Sequence, residues 1–149
     1  MKQKVSTPAS RKESDNHNDV RSKVPYCEAV GSLMYLAAAT RPDIAFAVNK
    51  AARVMDRPAE KYCNNVKRIF RYLRSTSNNG LRYTIGSGAL NVFSDADFAG
   101  DKVTRHSTTG VIAIHADAVS WTSQLQKKTA LSTTEAEIIA ASEGAKELV

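Results

Sequence analysis

Five acidic residues in the last third of the sequence have the types and spacing that could bind a divalent metal ion. Asp95, Asp97 and Asp101 end and follow an apolar segment, and Glu135 and Glu137 open a later segment with helical spacing. Carboxylate oxygens are preferred ligands of Mg²⁺, and two-metal hydrolysis of a phosphodiester uses several of them. The pattern favours metal-assisted chemistry on nucleic acid, although acids at such spacing also occur in proteins that bind no metal.

The two glutamates have a structural explanation as well. Glu135 follows Ser132 by three residues, which is the spacing of a helix capping box, so we predict that Glu135 caps the last helix. Glu137 has the same spacing from Thr134, and the spacing alone leaves its role open.

The three aspartates also divide into structural residues and a candidate ligand. Asp97 and Asp101 fit the acids of a turn or loop, and we predict that both are structural. Asp95 closes an apolar strand, where an acid needs a partner or a metal ion. Asp95 is therefore the strongest candidate ligand by residue type and position.

Positive charge is concentrated in the first part of the sequence. The 149 residues carry a net charge of +6. Residues 1–88 contain 16 Lys and Arg against 7 Asp and Glu, whereas residues 89–149 contain 5 against 8. A basic region beside an acidic one fits the capture of a polyanion next to a metal site, and a solvated basic surface is the alternative.

Cysteine content and hydropathy argue against several classes of protein. Cys27 and Cys63 are the only cysteines, and their separation fits neither a zinc site nor a disulfide framework. The first residues lack the apolar core of a signal peptide, and no apolar run reaches the roughly 20 residues that span a bilayer. We therefore expect an intracellular protein, in the cytoplasm or nucleus, with no membrane partner.

The N-terminal part of the sequence predicts helices. Residues 1–24 are polar and lack periodicity, so we predict a flexible lead-in. Helical spacing predicts three helices, over Tyr26–Ala39, from Thr40 to Met55 and over Pro58–Ser75. The apolar stripe of the third helix consists of Tyr62, Val66, Ile69, Phe70 and Leu73.

Basic residues form a second face of this third predicted helix. Lys67, Arg71 and Arg74 recur at helical spacing, and Arg68 lies nearby. Phosphate groups of nucleic acid suit such a face, so these four are candidate nucleic-acid-binding residues. A solvated amphipathic helix is the structural alternative.

The period of the pattern then changes to that of strands. Strands are predicted over Leu81–Ile85 and Leu90–Ser94, followed by a hairpin of residues 111–115 and 118–122 and a short strand at 129–131. Residues from Ser132 onward predict a helix with no stop signal, so we expect the sequence to be cut within it. The predicted buried side of this helix consists of Ile138, Ala141, Ala145 and Leu148.

Several of these motifs together resemble a known family. They occur in the order found in the Pol polyproteins of copia-type retrotransposons, and the similarity covers residues 26–149. The motifs are Val30–Leu36, Thr40–Ile44, Val66–Leu73, Gly80–Tyr83, Ser94–Asp101, Ser107–Gly110 and Ser132–Glu137.

The resemblance implies a fold and an activity. Residues 25–80 would be a helical connection region that follows reverse transcriptase, and residues 81–149 would be part of a ribonuclease H-like domain. The expected class is α+β, with an incomplete mixed β-sheet and one helix in the second part. That family cuts the RNA strand of RNA–DNA hybrids with Mg²⁺, or Mn²⁺, held by four carboxylates. Asp95 matches the first of these acids, and Glu137 matches the second.

The other two acids of that family have no counterpart in this sequence. We therefore predict that the chain is inactive alone, because metal-held charge stabilisation carries this chemistry. The expected partners are an RNA–DNA hybrid or other nucleic acid, and the reverse-transcriptase region of the same polyprotein. The alternatives are a non-catalytic basic nucleic-acid-binding module and a structural remnant of a decayed element.

Overall fold

The computed structural model describes residues 5–9, 25–56, 58–86 and 88–148. The chain divides into two compact units, one of residues 1–80 and the other of residues 81–149. Most of the predicted lead-in, residues 1–4 and 10–24, lies outside the described residues. Within the described part of the chain, no helix is long and apolar enough to cross a bilayer.

The described part of the first unit contains three α-helices and one 3₁₀ turn. The helices are α1 (Tyr26–Ala39), α2 (Ala45–Ala52) and α3 (Glu60–Ser75), and the 3₁₀ turn at Pro42–Ile44 leads into α2. The three predicted helices are confirmed. The second is shorter than predicted, because residues 53–56 form turns.

Apolar side chains at helical spacing form the core of the first unit. The buried residues are Tyr26, Val30, Leu33, Ala37, Ile44, Ala47, Val48, Ala51, Cys63, Val66 and Ile69. Four of the five residues predicted for the stripe of α3 are buried or partly buried. Phe70 is the exception, since 45% of its surface is exposed. It lies one helical step beyond Ile69, at the flank of the stripe and next to the basic face.

The described part of the second unit contains a three-stranded antiparallel sheet and one helix. The strands β1 (Asn91–Asp97), β2 (Thr108–His115) and β3 (Asp117–Leu125) lie in that order, and α4 (Thr133–Lys146) packs against β1 and β2. The α+β class is confirmed. The predicted mixed sheet is wrong for the described strands, because both pairs are antiparallel. Antiparallel pairing fits the tight turn at Ala116, since parallel strands need a long crossover connection.

Two predicted strands have no counterpart in the structure. Residues 81–85 and 129–131 form no regular secondary structure. In each segment a backbone amide donates to a carboxylate. Asp117 accepts from the amide and the hydroxyl of Thr84, and Glu135 accepts from the amide of Leu131 at 2.7 Å.

The buried side of α4 also differs from the prediction. Three small residues, Ala136, Ala140 and Gly144, face the sheet. The predicted residues are exposed instead, namely Ile138, Ala141, Ala145 and Leu148. A Cβ atom on Gly144 would come within 3.3 Å of Cγ1 of Val92 and 3.5 Å of Cβ of Ser94. The helix therefore lies so close to the sheet that only small residues fit between them.

Candidate metal site and nucleic-acid interface

Asp95 is an exposed acid in β1, which is an edge strand of the described sheet. The neighbouring residue Ser94 faces α4, as its closeness to Gly144 shows. Because successive side chains of a strand alternate, the carboxylate of Asp95 points to the opposite face. It has no hydrogen bond or ion pair with any described residue.

Gln126 holds the start of α4 against the sheet, a role that no sequence motif indicates. Its side-chain amide donates to the hydroxyl of Thr109 and to the carbonyl of Ala136, both at 3.0 Å. Thr109 of β2 is paired with Ala96 of β1. The contact therefore places Ala136 near the end of β1 that carries Asp95.

Glu137 is the next residue along α4 and lies at the flank of its buried side. It is exposed, and within the described residues its carboxylate has no hydrogen bond or ion pair. The opposite end of α4 lies over the start of β1, where Gly144 approaches Val92. Asp95 and Glu137 thus belong to the same end of the packed pair β1 and α4, although Asp95 faces away from the helix.

Glu135 caps α4, as predicted from its spacing. The hydroxyl of Ser132 accepts a hydrogen bond from the amide of Glu135 at 3.1 Å. The carboxylate of Glu135 reaches back to the amide of Leu131. These bonds satisfy amides at and before the helix start, which have no partner within the helix. Glu135 is therefore engaged in the fold through its backbone amide and one carboxylate oxygen.

The predicted structural roles of the two later aspartates are also confirmed. Asp97 accepts from the amides of Gly100 at 3.1 Å and Thr108 at 3.3 Å. A Cβ atom at Gly100 would overlap the carboxylate of Asp97, so a larger residue there would displace this carboxylate. Asp101 accepts from the amides of residues 103–104 at 3.0 and 2.9 Å, which closes a tight turn.

Asp95 and Glu137 would give a metal ion only two protein side chains as ligands. Across the described ranges, no three His, Cys, Asp or Glu side chains come together in a way that could hold a metal ion. Mg²⁺ keeps several water ligands and is often bound through one or two carboxylates. Asp95 and Glu137 are therefore compatible in type with a hydrated Mg²⁺, but two carboxylates are fewer than a two-metal site requires.

Three of the four candidate nucleic-acid-binding residues are exposed on one face of α3. Lys67, Arg71 and Arg74 are exposed, and none of them forms an ion pair with an acid of the described residues. The guanidinium of Arg71 donates to the carbonyl of Lys67 at 3.3 Å. We call Lys67, Arg71 and Arg74 the basic face.

Arg68 has a different environment from the basic face. Its guanidinium donates to the carbonyl of Thr7 at 3.2 Å and to the hydroxyl of Thr7 at 3.1 Å. The hydroxyl of Ser75 donates to the carbonyl of Val5 at 3.3 Å, so residues 5–9 lie along α3. The sequence did not predict this contact. Arg68 therefore binds a segment of its own chain.

An ion pair between the buried Arg41 and the partly exposed Asp43 joins the turn after α1 to the end of α3. Arg41 donates to both carboxylate oxygens of Asp43 at 2.9 and 2.8 Å, and to the carbonyl and hydroxyl of Thr76 at 3.1 and 2.7 Å. The hydroxyl of Tyr72 donates to Asp43 at 2.8 Å. The hydrogen bond from Arg41 lowers the pKa of Asp43. The bond to Asp43 raises the pKa of Tyr72. Because every partner is engaged within the fold, this network is structural.

Comparison with known proteins gives the origin of the sequence. It is 48% identical over 129 residues to the retrovirus-related Pol polyprotein from transposon TNT 1-94 of Nicotiana tabacum, covering 86% of this chain and 10% of that protein. It is 45% identical over 114 residues to the Pol polyprotein from transposon RE1 of Arabidopsis thaliana, covering 75% of this chain and 8% of that protein. No family model and no solved structure matches.

A third relative has a similar length. The secreted RxLR effector protein 161 of Plasmopara viticola is 44% identical over 128 residues, which cover 85% of this chain and 90% of that protein. The chain therefore belongs to the family of proteins related to retrotransposon Pol polyproteins, and the predicted Pol origin is confirmed. It spans about a tenth of the length of the transposon polyproteins that it matches.

Proposed function

We propose that the chain comprises the connection region and the first part of the ribonuclease H-like domain of a copia-type Pol polyprotein. The observation that carries this proposal is the contrast between the acids of the second unit. Asp97, Asp101 and Glu135 are used by backbone amides, whereas Asp95 and Glu137 are exposed and unpaired among the described residues. Exposed carboxylates without partners among the described residues can bind a hydrated Mg²⁺.

The activity of the longer protein would be hydrolysis of RNA in an RNA–DNA hybrid. Asp95 and Glu137 would hold Mg²⁺ or Mn²⁺, which when bound supplies water activation and charge stabilisation. The partners would be the hybrid and the reverse-transcriptase region, inside the cell. This chain supplies two carboxylates, so we propose that it does not hydrolyse the hybrid by itself.

Metal binding is the direct test of the two acids. Titration of the ¹⁵N-labelled chain with Mn²⁺ should broaden amide signals around Asp95 and Glu137 first. Asp95→Asn should abolish this local broadening, because it removes a charged ligand. Glu60→Gln, at an exposed acid of α3, is the matched control and should leave it unchanged. Broadening that is equal in wild type and Asp95→Asn would remove the metal site from the proposal.

Hydrolysis is tested separately with a labelled RNA–DNA hybrid in Mg²⁺ or Mn²⁺. We expect no cleavage above the level of the Asp95→Asn variant. Robust cleavage that Asp95→Asn abolishes would show that two carboxylates suffice, and would overturn the proposed inactivity.

The basic face supports a second candidate function, non-catalytic binding of nucleic acid. Its three cations are exposed and unmatched by acids of the described residues. The relative from Plasmopara viticola has little sequence outside the shared region, which fits a role that does not need the rest of a polyprotein. Affinity should then fall steeply with salt and be insensitive to Asp95→Asn. A flat dependence on salt would contradict this candidate.

A further inference from the structure

An exposed aromatic ring lies beside the basic face of α3. Phe70 is 45% exposed, although helical spacing predicted it for the core. At 100° per residue, the helix places Phe70, Arg74, Lys67 and Arg71 in that order within an arc of about 100°. The ring therefore borders the same surface that carries the three cations.

The charges and the exposed ring on this surface limit the kind of partner that can bind it. Lys67, Arg71 and Arg74 carry charges that no acid of the described residues matches, whereas neighbouring Arg68 is engaged by Thr7. A polyanion would neutralise the three cations, and a flat apolar group would cover the exposed part of Phe70. Single-stranded nucleic acid offers both, because its phosphates alternate with bases whose faces are open.

We propose that Phe70 and the basic face form a binding site for single-stranded nucleic acid. A base stacks on the ring of Phe70, and flanking phosphates contact Lys67, Arg71 and Arg74. This inference rests on the proposed nucleic-acid-binding function and goes beyond it by naming the class of strand and the stacking residue. Duplexes fit the cations but not the ring, since their bases are already stacked on one another.

The experiment compares strand types in the full chain. Fluorescence anisotropy measures binding of labelled single-stranded RNA, single-stranded DNA and the hybrid made from them. We expect Phe70→Ala to weaken binding of both single strands about tenfold and to leave the hybrid unchanged, because a stacked base is lost. Arg71→Ala should weaken all three and reduce the dependence on salt, because a phosphate contact is lost.

Three further variants separate stacking from folding. Tyr35 of α1 is an aromatic residue with 78% of its surface exposed and lies outside the basic face, so Tyr35→Ala should not change the affinity. Phe70→Leu keeps an apolar side chain at the flank of the core, which protects the fold if Phe70→Ala does not fold. We expect it to lose most of the single-strand affinity, and Phe70→Trp to retain it.

The outcomes distinguish this inference from the function on which it rests. If single strands bind with a steep salt dependence but neither Phe70→Ala nor Phe70→Leu matters, the stacking site is wrong and electrostatic binding stands. Equal losses for single strands and hybrid would also overturn the stacking site. If the wild type binds no nucleic acid, both proposals fail.

Discussion

The two units of this chain are stabilised in different ways. The first encloses Leu33, Ile44 and Ile69 almost completely between helices. The apolar residues buried in the second unit are smaller, namely Val111, Ala113, Ala130, Ala136 and Ala140. Phe93 of β1 is 58% exposed. Burial of large side chains thus dominates the first unit, whereas the second relies more on strand pairing and polar contacts.

The use of acids follows the same division. In the first unit Asp43 pairs with a buried arginine, whereas in the second Asp97, Asp101 and Glu135 each satisfy backbone amides. Acids that build a fold and acids available for chemistry can therefore stand two residues apart, as Asp95 and Asp97 do. The difference lies in their partners, since the residue types are the same.

The largest expected effect on stability comes from shortening an isoleucine in the core of the first unit. Ile69 is 1% exposed and Ile138 of α4 is 63% exposed, so the same substitution compares the two units. Ile69→Ala should lower the free energy of unfolding by about 2–5 kcal/mol, because a cavity remains. Ile138→Ala should change it by no more than about 0.5 kcal/mol.

Urea unfolding measures both variants. Far-ultraviolet circular dichroism follows all the helices, and fluorescence of Trp121, the single tryptophan, follows the second unit. A loss for Ile138→Ala as large as that for Ile69→Ala would show that the outer face of α4 is buried in solution.

Next in size is the ion pair of the first unit. The side chain of Arg41 is 6% exposed and that of Asp43 is 35% exposed. Arg41→Ala should cost about 1.5–3 kcal/mol in urea unfolding, because hydrogen bonds to charged groups are lost. Arg74→Ala, at an exposed position of α3, should stay within about 0.5 kcal/mol. Equal effects of the two substitutions would mean that the hydrogen bonds of Arg41 contribute no stability.

A smaller effect is expected at the cap of α4. Ser132→Ala should destabilise the second unit by about 1 kcal/mol, because the amide of Glu135 loses its acceptor. Ser142→Ala is the matched control, since Ser142 is an exposed residue inside the same helix. The fluorescence of Trp121 in urea reports both. If Ser142→Ala is as costly as Ser132→Ala, the cap is not the source of the loss.

The smallest effect on stability is expected when the pH is lowered. The hydrogen bond from Arg41 lowers the pKa of Asp43 below its ordinary value of 3.8. Because the folded pKa is below the unfolded one, the stabilisation is fully present above about pH 4 and is lost as the pH falls through the folded pKa. Asp43→Asn should remove this part of the pH dependence of thermal unfolding, while Glu60→Gln should keep it. An unchanged profile for Asp43→Asn would assign the acid sensitivity to other groups.

Local sequence patterns predicted those elements that depend on interactions between nearby residues. The bounds of α1, the β2–β3 hairpin and the cap at Ser132 follow from spacing and residue type, because adjacent residues decide them. The residues also separated the structural acids Asp97 and Asp101 from Asp95. The roles of Asp95 and Glu137 as metal ligands stay predictions, since no described contact tests them.

The sequence by itself determined the Pol origin, the helices of the first unit and the capping and turn acids of the second, since these depend on motifs and on short-range hydrogen bonds. Only the tertiary structure decided which side of α4 is buried, where Arg68 is engaged and that Phe70 is exposed. Each depends on how closely another segment approaches. Spacing in the sequence can assign more than one side of a helix to the core, and packing against other segments decides which side is buried.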